Sequence, residues 1–167
     1  MWALLLVPIV LIIFILIIVI RAIRFSPKPQ PRVENDAVTF DSERAIDNLS
    51  KLIQCKTISY RDASLEDDTE FQKLIDSLPA LYPHVMNTCE FKQLPNRALL
   101  FKWKGKTDGA PTVMMAHYDV VPANEDAWEL PAFEGLIKDG CLWGRGTLDT
   151  KVTVNGILFS ADHLISK

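Results

Sequence analysis

The chain has 167 residues, a formal net charge of −3 and an apolar fraction of 49%. This length allows one modest domain, and the absence of a basic stripe interleaved with aromatic residues argues against a nucleic-acid-binding protein. The three cysteines, Cys55, Cys89 and Cys141, are widely spaced and form no CxxC pair. We therefore expect neither a disulfide framework nor a thiolate zinc site, and we predict that the cysteines are packing residues.

The N-terminus is strongly apolar: every residue in 2–20 is apolar, and Pro8 is the only helix breaker. At 1.5 Å per residue this run is about 28 Å long as a helix, close to the hydrocarbon thickness of a bilayer. A buried core helix of this length would carry a polar face. A cleaved signal peptide would have basic residues before the run and a small-residue cleavage site after it. The run therefore predicts an uncleaved transmembrane anchor over residues 1–24.

Basic residues follow the apolar run, and no acidic residue occurs before Glu34. They are Arg21, Arg24, Lys28 and Arg32. The positive-inside rule then favours a cytoplasmic location for the remainder, although a long domain can be translocated despite such charges. We expect a single-pass membrane protein whose N-terminal helix and basic cluster contact membrane lipid.

The remainder divides into a spacer, residues 25–40, and a domain of mixed composition, residues 41–167. Three prolines within the spacer, Pro27, Pro29 and Pro31, favour an extended, semi-rigid segment. Apolar residues then recur at helical spacing in two segments, the first capped by Asp41 or Ser42 and the second ending at Pro79. Their apolar positions are Ala45, Ile46, Leu49, Leu52 and Ile53, and then Phe71, Leu74, Ile75 and Leu78.

Strands are predicted in the middle of the domain. Residues 85–94 and 98–104 flank the turn-forming residues 95–97, and residues 135–138 and 141–143 flank Asp139-Gly140, so two hairpins are expected. The apolar run 111–116 has the pattern of a strand that is buried on both faces. A last helix is predicted after Asp149, with an apolar stripe of Val152, Ile157, Leu158, Ala161, Leu164 and Ile165. The fold class expected is α/β, with a mostly parallel or mixed sheet flanked by helices.

Two groups suited to metal binding follow the run 111–116. Alternate residues of an extended strand point the same way, so the imidazole of His117 and the carboxylate of Asp119 converge. The carboxyl end of such a strand is also where α/β proteins usually bind ligands. A lone His-x-Asp is nevertheless more often a structural pair than a functional one.

A third candidate, Asp149, lies between the Gly144-Arg145-Gly146 turn and the last helix. An acid at a helix start is favoured by the helix dipole with or without a metal, which is the structural alternative for Asp149. The turn lacks the glycine spacing and the Lys-Ser/Thr of a phosphate-binding loop, so nucleotide binding is not expected.

Taken together, residues 115–151 resemble the signature region of a zinc-dependent metallopeptidase and amidohydrolase family, that of aminoacylase, glutamate carboxypeptidase and succinyl-diaminopimelate desuccinylase. The matching elements are His-x-Asp-Val-Val-Pro, Trp-x-x-Pro-x-Phe-x-Gly, the Asp-Gly hairpin and Gly-Arg-Gly-x-x-Asp-x-Lys, in that order. Residues 46–59 also resemble the family's opening helix and the loop after it. Within the family the chain is most similar to the secreted or anchored N-acyl amino acid hydrolases, which favours an extracellular domain.

The resemblance implies that His117 binds one zinc ion, that Asp149 bridges two, and that Asp119 lies behind His117 as a catalytic-site carboxylate fixing its tautomer. It implies a cofactor of two zinc ions, with other divalent metals compatible, and hydrolysis of an amide bond in a small N-acyl amino acid or peptide substrate. It further implies a cis peptide bond between Asp149 and Thr150, and a homodimer in the complete enzyme.

The family's general-base glutamate and its remaining metal ligands have no counterpart in these 167 residues. After Asp149 the next acid is Asp162, about four helical turns away. One hypothesis is therefore that the chain is the truncated N-terminal part of an anchored hydrolase and is inactive alone. The alternative hypothesis is a non-catalytic, membrane-anchored binding module derived from the same fold.

Overall fold

The computed structural model describes residues 2–25 and 38–167, in two compact units divided between Val38 and Thr39. In the first unit, the described residues form helix α1 (Trp2–Arg24), whose side chains from Val7 onward are exposed. By length and composition α1 could cross a membrane, and a signal sequence near an N-terminus meets the same criteria. The predicted spacer, residues 25–40, lies mostly outside the described residues, as do Lys28 and Arg32 of the basic cluster.

The second unit has a mixed helical and small-sheet architecture. Its helices are α2 (Ser42–Ile53), α3 (Asp68–Leu81), α4 (Pro83–Thr88) and α5 (Lys151–Ile165). Its strands are β1 (Glu90–Gln93), β2 (Leu99–Lys102), β3 (Leu136–Lys138) and β4 (Cys141–Trp143). Short 3-10 turns occupy Ala63–Leu65, Pro95–Arg97 and Glu125–Ala127.

The four helices of this unit share one apolar core. Its buried members are Leu52, Cys55, Leu74, Leu78, Leu81, Tyr82, Val85, Leu158 and Phe159. A second, smaller cluster joins Val120 to Ala132 and Phe133. Of the three cysteines predicted to be packing residues, Cys55 is buried and Cys89 is partly buried, but Cys141 is exposed in β4, so the prediction is wrong for that residue.

Helices α2 and α3 follow the predicted periodicity. Asp41 caps α2, its side chain accepting a hydrogen bond from Arg44 N at 3.0 Å. The predicted end of α3 at Pro79 is wrong, because the helix continues to Leu81. A proline this close to a helix end removes one backbone hydrogen bond, and burial of Leu78 and Leu81 offsets that loss.

The first part of the strand predicted over residues 85–94 is instead helix α4. Pro83 occupies the first helical position, where a missing N–H costs nothing. The next two backbone N–H groups, of His84 and Val85, donate to Asp162 Oδ1 at 2.7 and 3.1 Å. A carboxylate from another helix thus caps α4, and such a long-range partner cannot be read from local periodicity.

The sheets are two separate antiparallel hairpins. β1 pairs with β2 in the register Glu90 to Lys102, and β3 pairs with β4 in the register Leu136 to Trp143. The predicted turns are confirmed, with positive φ at Asn96 (58°) in the first, and at Asp139 (53°) and Gly140 (74°) in the second.

The strand predicted over residues 111–116 is not formed in this structure. Val113, Met114 and Met115 are 72%, 64% and 84% exposed rather than buried. A strand exists through hydrogen bonds to a neighbour, and within the described residues the nearest parallel pairing is one bridge between Ile58 and Val120. The predicted helix-flanked parallel sheet is therefore represented here by two hairpins and that bridge.

The buried face of α5 is more polar than predicted. Of the predicted apolar stripe, Leu158 is buried, whereas Val152 is 40% and Leu164 is 61% exposed. The buried positions are Lys151, Asn155, Leu158, Phe159 and Asp162. Their polar atoms find partners on α2, on α4 and on Tyr82 between α3 and α4, so this helix docks through hydrogen bonds as well as apolar contacts.

Candidate metal site

The backbone that carries His117 and Asp119 is held by the loop after α2. The hydroxyl of Thr57, which is fully buried, donates to the Tyr118 carbonyl at 2.6 Å. Val120 N donates to the Thr57 carbonyl at 2.8 Å, and Ser59 N donates to the Val120 carbonyl at 2.9 Å. These bonds flank His117 and Asp119 and fix where their side chains begin.

Asp149 lies on a different segment, the connection that enters α5. The peptide bond between Asp149 and Thr150 is cis, as the family resemblance predicted. The Thr150 hydroxyl donates to the His117 carbonyl at 2.8 Å. The two segments are therefore joined directly beside the predicted site residues.

The three predicted site residues lie together. His117 Nε2 is 3.1 Å from Asp149 Oδ1. On the other side of the ring, Nδ1 is 3.2 Å from Asp119 Oδ1 and 3.0 Å from the Asp119 carbonyl oxygen. The imidazole thus lies between two acids, with Asp119 on one nitrogen and Asp149 on the other.

The two acids change the proton affinity of His117. Burial lowers the pKa of the imidazole, but the hydrogen bonds to Asp119 and Asp149, and the negative charges of both, outweigh burial and raise its pKa above 6.5. A histidine between two carboxylates attracts positive charge at Nε2, whether that charge is a proton or a metal ion.

The donor atoms fit part of a zinc site. Two ligands of a tetrahedral zinc ion at about 2.0 to 2.1 Å lie about 3.3 Å apart, close to the separation of His117 Nε2 and Asp149 Oδ1. The side chains of His117 and Asp149 are 51% and 86% exposed, so an ion can reach both. Among residues 2–25 and 38–167, however, no group of three or more His, Cys, Asp or Glu residues is arranged to hold a metal. The described residues therefore supply only some of the ligands that a catalytic zinc requires.

The loop that carries Trp128, Ala132 and Phe133 lies against the site segment. Ala132 and Phe133 are buried against Val120, with Trp128 partly buried beside them. Arg145 N donates to the Ala132 carbonyl at 2.6 Å, and the Arg145 guanidinium lies 5.2 Å from the centre of the Trp128 ring. Arg145 therefore contacts this loop through its backbone N–H and through the face of the Trp128 ring.

The sequence analysis missed the roles of Thr150 and Lys151. Lys151 is fully buried, and Nζ donates to the carbonyls of Leu52 at 2.8 Å and Cys55 at 2.6 Å. Burial lowers the pKa of Lys151 to about 8, and the nearby acidic groups of Cys55, Glu70 and Asp119 oppose this effect when they are ionised. One signal was available: a lysine in the first turn of a helix opposes the helix dipole, so its ammonium needs a partner elsewhere.

Comparison with known proteins places this geometry in context. Residues 113–167 match the model of a family described as peptidase family M20/M25/M40. The chain is 34% identical over 92% of its length to a "Probable carboxypeptidase S-like 2" of Dictyostelium discoideum, of which it covers 31%. It is 34% identical over 70% of its length to the "N-fatty-acyl-amino acid synthase/hydrolase PM20D1" of Homo sapiens, of which it covers 24%. The chain thus spans about a quarter to a third of the length of such curated relatives.

Proposed function

Because the chain belongs to peptidase family M20/M25/M40, we propose that it forms the N-terminal part of a zinc-dependent hydrolase that cleaves an amide bond. The observation that carries this proposal is the placement of His117 Nε2 against Asp149 Oδ1, with Asp119 behind the ring. Three residues from two segments about 30 residues apart meet there. Their side chains are largely exposed, so burial in the core does not explain why they meet.

Each residue has a proposed part. Asp119 accepts from Nδ1–H of His117, which leaves the lone pair of Nε2 free to bind metal. Asp149 would supply a second, negatively charged ligand, shared by the two ions. Bound zinc supplies a Lewis acid that polarises the substrate carbonyl and makes water a nucleophile near neutral pH. The general base and the remaining ligands are proposed to come from sequence beyond these 167 residues.

The substrate is proposed to be a small N-acyl amino acid or a short peptide. Some relatives are named as carboxypeptidases and others as hydrolases of N-fatty-acyl amino acids. Both names imply an amide bond next to an amino acid that carries a free carboxylate. We propose this shared unit as the substrate class of the complete enzyme, which is also proposed to be a homodimer.

For the complete catalytic domain we propose an α/β fold. In it, residues 111–116 form a strand of a mostly parallel or mixed sheet that is flanked by helices. A groove of about 600 Å³ supports it, because the groove is bordered by β2, the exposed residues Val113, Met114 and Met115, and α5. A further strand in this groove would bury these side chains and pair their backbone.

The experiment that tests the function compares the 167-residue chain with its reading frame extended downstream. We expect the chain alone to show no amide hydrolysis with added zinc, and the extended protein to hydrolyse an N-acyl amino acid or dipeptide until a chelator removes the metal. Turnover by the 167-residue chain would contradict the incomplete site. An extended protein that is folded but inactive towards both substrate types would favour the non-catalytic binding module.

Helix α1 is proposed to be a single-pass membrane anchor, with the second unit on the cytoplasmic side if Arg21 and Arg24 decide the orientation. We expect the protein to stay in the membrane pellet after alkaline carbonate extraction and to retain α1 at its N-terminus. Release into the supernatant with α1 removed would identify a signal sequence instead. Digestion of sealed vesicles by added protease reports on which side of the membrane the second unit lies. If protease added outside intact cells leaves this unit uncleaved, the extracellular location that the subfamily resemblance favours is contradicted.

A further inference from the structure

Lys151 is a buried charge that the proposed chemistry does not use. Its ammonium is fully buried and lies at the C-terminal end of α2, where helix carbonyls lack intrahelical partners. One of those carbonyls, of Leu52, accepts from Nζ at 2.8 Å, and the carbonyl of Cys55, two residues past the helix, accepts at 2.6 Å. A positive charge is favourable at this end of a helix dipole. The ammonium therefore fastens the start of α5 to the end of α2.

The turn before Asp149 is shaped around this lysine. Lys151 N donates to the Gly146 carbonyl at 2.9 Å, which closes residues 146–151 into a tight loop. Gly146 has a φ of +93°, and a Cβ there would lie 2.7 Å from Val120 Cγ1 and 3.3 Å from Lys151 Cδ. A side chain at position 146 would therefore collide with Val120 and press against the stem of Lys151. Asp149 projects from the outside of this loop.

A second bond holds the same loop from the site side. Thr150 Oγ1 donates to the His117 carbonyl at 2.8 Å, so the residue after Asp149 is joined to the residue that carries the imidazole. Asp149 itself is 86% exposed, and its carboxylate contacts His117 Nε2. Its position is therefore set by its neighbours in the chain rather than by packing of its own side chain.

We propose that Lys151 and Thr150 are positioning residues that together set the distance between Asp149 and His117. Lys151 fixes the loop against α2, and Thr150 fixes it against the His117 backbone. This inference rests on the proposed function, since the two residues act on metal only through His117 and Asp149. Loss of either bond lets Asp149 Oδ1 move relative to His117 Nε2, so the metal is held less tightly and with altered geometry.

The test uses the complete detergent-solubilised protein loaded with cobalt(II), whose visible absorption reports ligand geometry, together with zinc affinity from chelator competition. Lys151→Met keeps the stem and removes the ammonium, and Thr150→Val keeps the shape and removes the hydroxyl. We expect zinc affinity to fall about 10- to 100-fold in K151M and about 3- to 10-fold in T150V, with a changed cobalt spectrum in both.

Asn155→Leu is the matched structural control. Asn155 is also a buried polar residue of α5, and it donates to the Ala45 carbonyl at 2.9 Å, about one turn beyond Lys151. We expect N155L to lower the thermal unfolding temperature while zinc affinity stays within about twofold of the unchanged protein. A loss of metal affinity in N155L equal to that in K151M would reduce Lys151 to a stabilising role and overturn the proposal.

The remaining outcomes are also distinct. K151M or T150V with unchanged zinc affinity and cobalt spectrum overturns the proposal while the metal site stands. If K151M does not fold, T150V decides alone, because its hydroxyl is only partly buried and its replacement is isosteric. If the unsubstituted protein binds no metal, or if His117→Ala binds it equally well, the proposed function fails instead.

Discussion

Alanine at His117 or at Asp149 is expected to weaken zinc binding by at least about 100-fold and to abolish hydrolysis by the complete protein. Each substitution removes one ligand, and 100-fold corresponds to about 3 kcal/mol of binding free energy. The two side chains meet at 3.1 Å, so loss of His117 leaves Asp149 facing solvent, and loss of Asp149 leaves only the Nδ1 side of His117 paired, with Asp119. Chelator competition measures the affinity, and release of the free amino acid measures the hydrolysis.

Asp119→Asn is expected to have a smaller effect, about 10- to 100-fold, because the amide keeps the shape but not the charge behind Nδ1. Matched controls are His84→Ala and Asp108→Ala, two exposed side chains in the same unit. Both should keep wild-type affinity and activity. If D149A retained zinc affinity within a few fold, Asp149 would be no ligand, and the structural alternative of a dipole-favoured acid would replace it.

Asp162→Ala is expected to lower the free energy of unfolding by about 3 kcal/mol, the largest stability effect that the structure indicates. The Asp162 carboxylate is fully buried, forms an ion pair with Arg44 and accepts the N–H groups of His84 and Val85. Its removal orphans both N–H groups of α4. Arg44 is 38% exposed and recovers water, so the cost lies at the lower end of the range for buried pairs.

The comparison for this measurement is Asp47→Ala. Asp47 forms an ion pair with Lys51 at 2.6 Å, but their side chains are 60% and 51% exposed. We expect a loss of about 0.5 kcal/mol or less for that variant. Urea unfolding, followed by tryptophan fluorescence, compares the free energies of unfolding of the two variants. Equal unfolding midpoints for D162A and D47A would show that the buried carboxylate contributes little.

Local chemistry explains what the sequence could predict. The cap at Asp41, the helical period of α2 and α3 and the Asp139-Gly140 turn depend on residues a few positions apart, and all are present. The approach of His117, Asp119 and Asp149 was also predicted, from strand alternation and from the spacing of the family motifs.

Features that depend on distant partners were predicted wrongly or missed. The segment that begins at Pro83 is helical because Asp162, far along the chain, caps it. The apolar run 111–116 reads as a buried strand, yet strand formation depends on neighbours rather than on its own composition. The sequence assigned no role to Lys151, and the carbonyls of Leu52 and Cys55, about 100 residues earlier, explain its burial.

Helix α2 makes several of these distant contacts, and they can form only late in the synthesis of the chain. Its partners lie 85 residues away at Gly135, 99 at Lys151, 110 at Asn155 and 118 at Asp162. The part of α2 that α5 covers therefore stays exposed until almost all of the second unit has left the ribosome. Contacts of such high order form slowly, and exposed apolar surface in the meantime invites aggregation. We therefore expect the nascent domain to be most prone to aggregation before α5 has emerged.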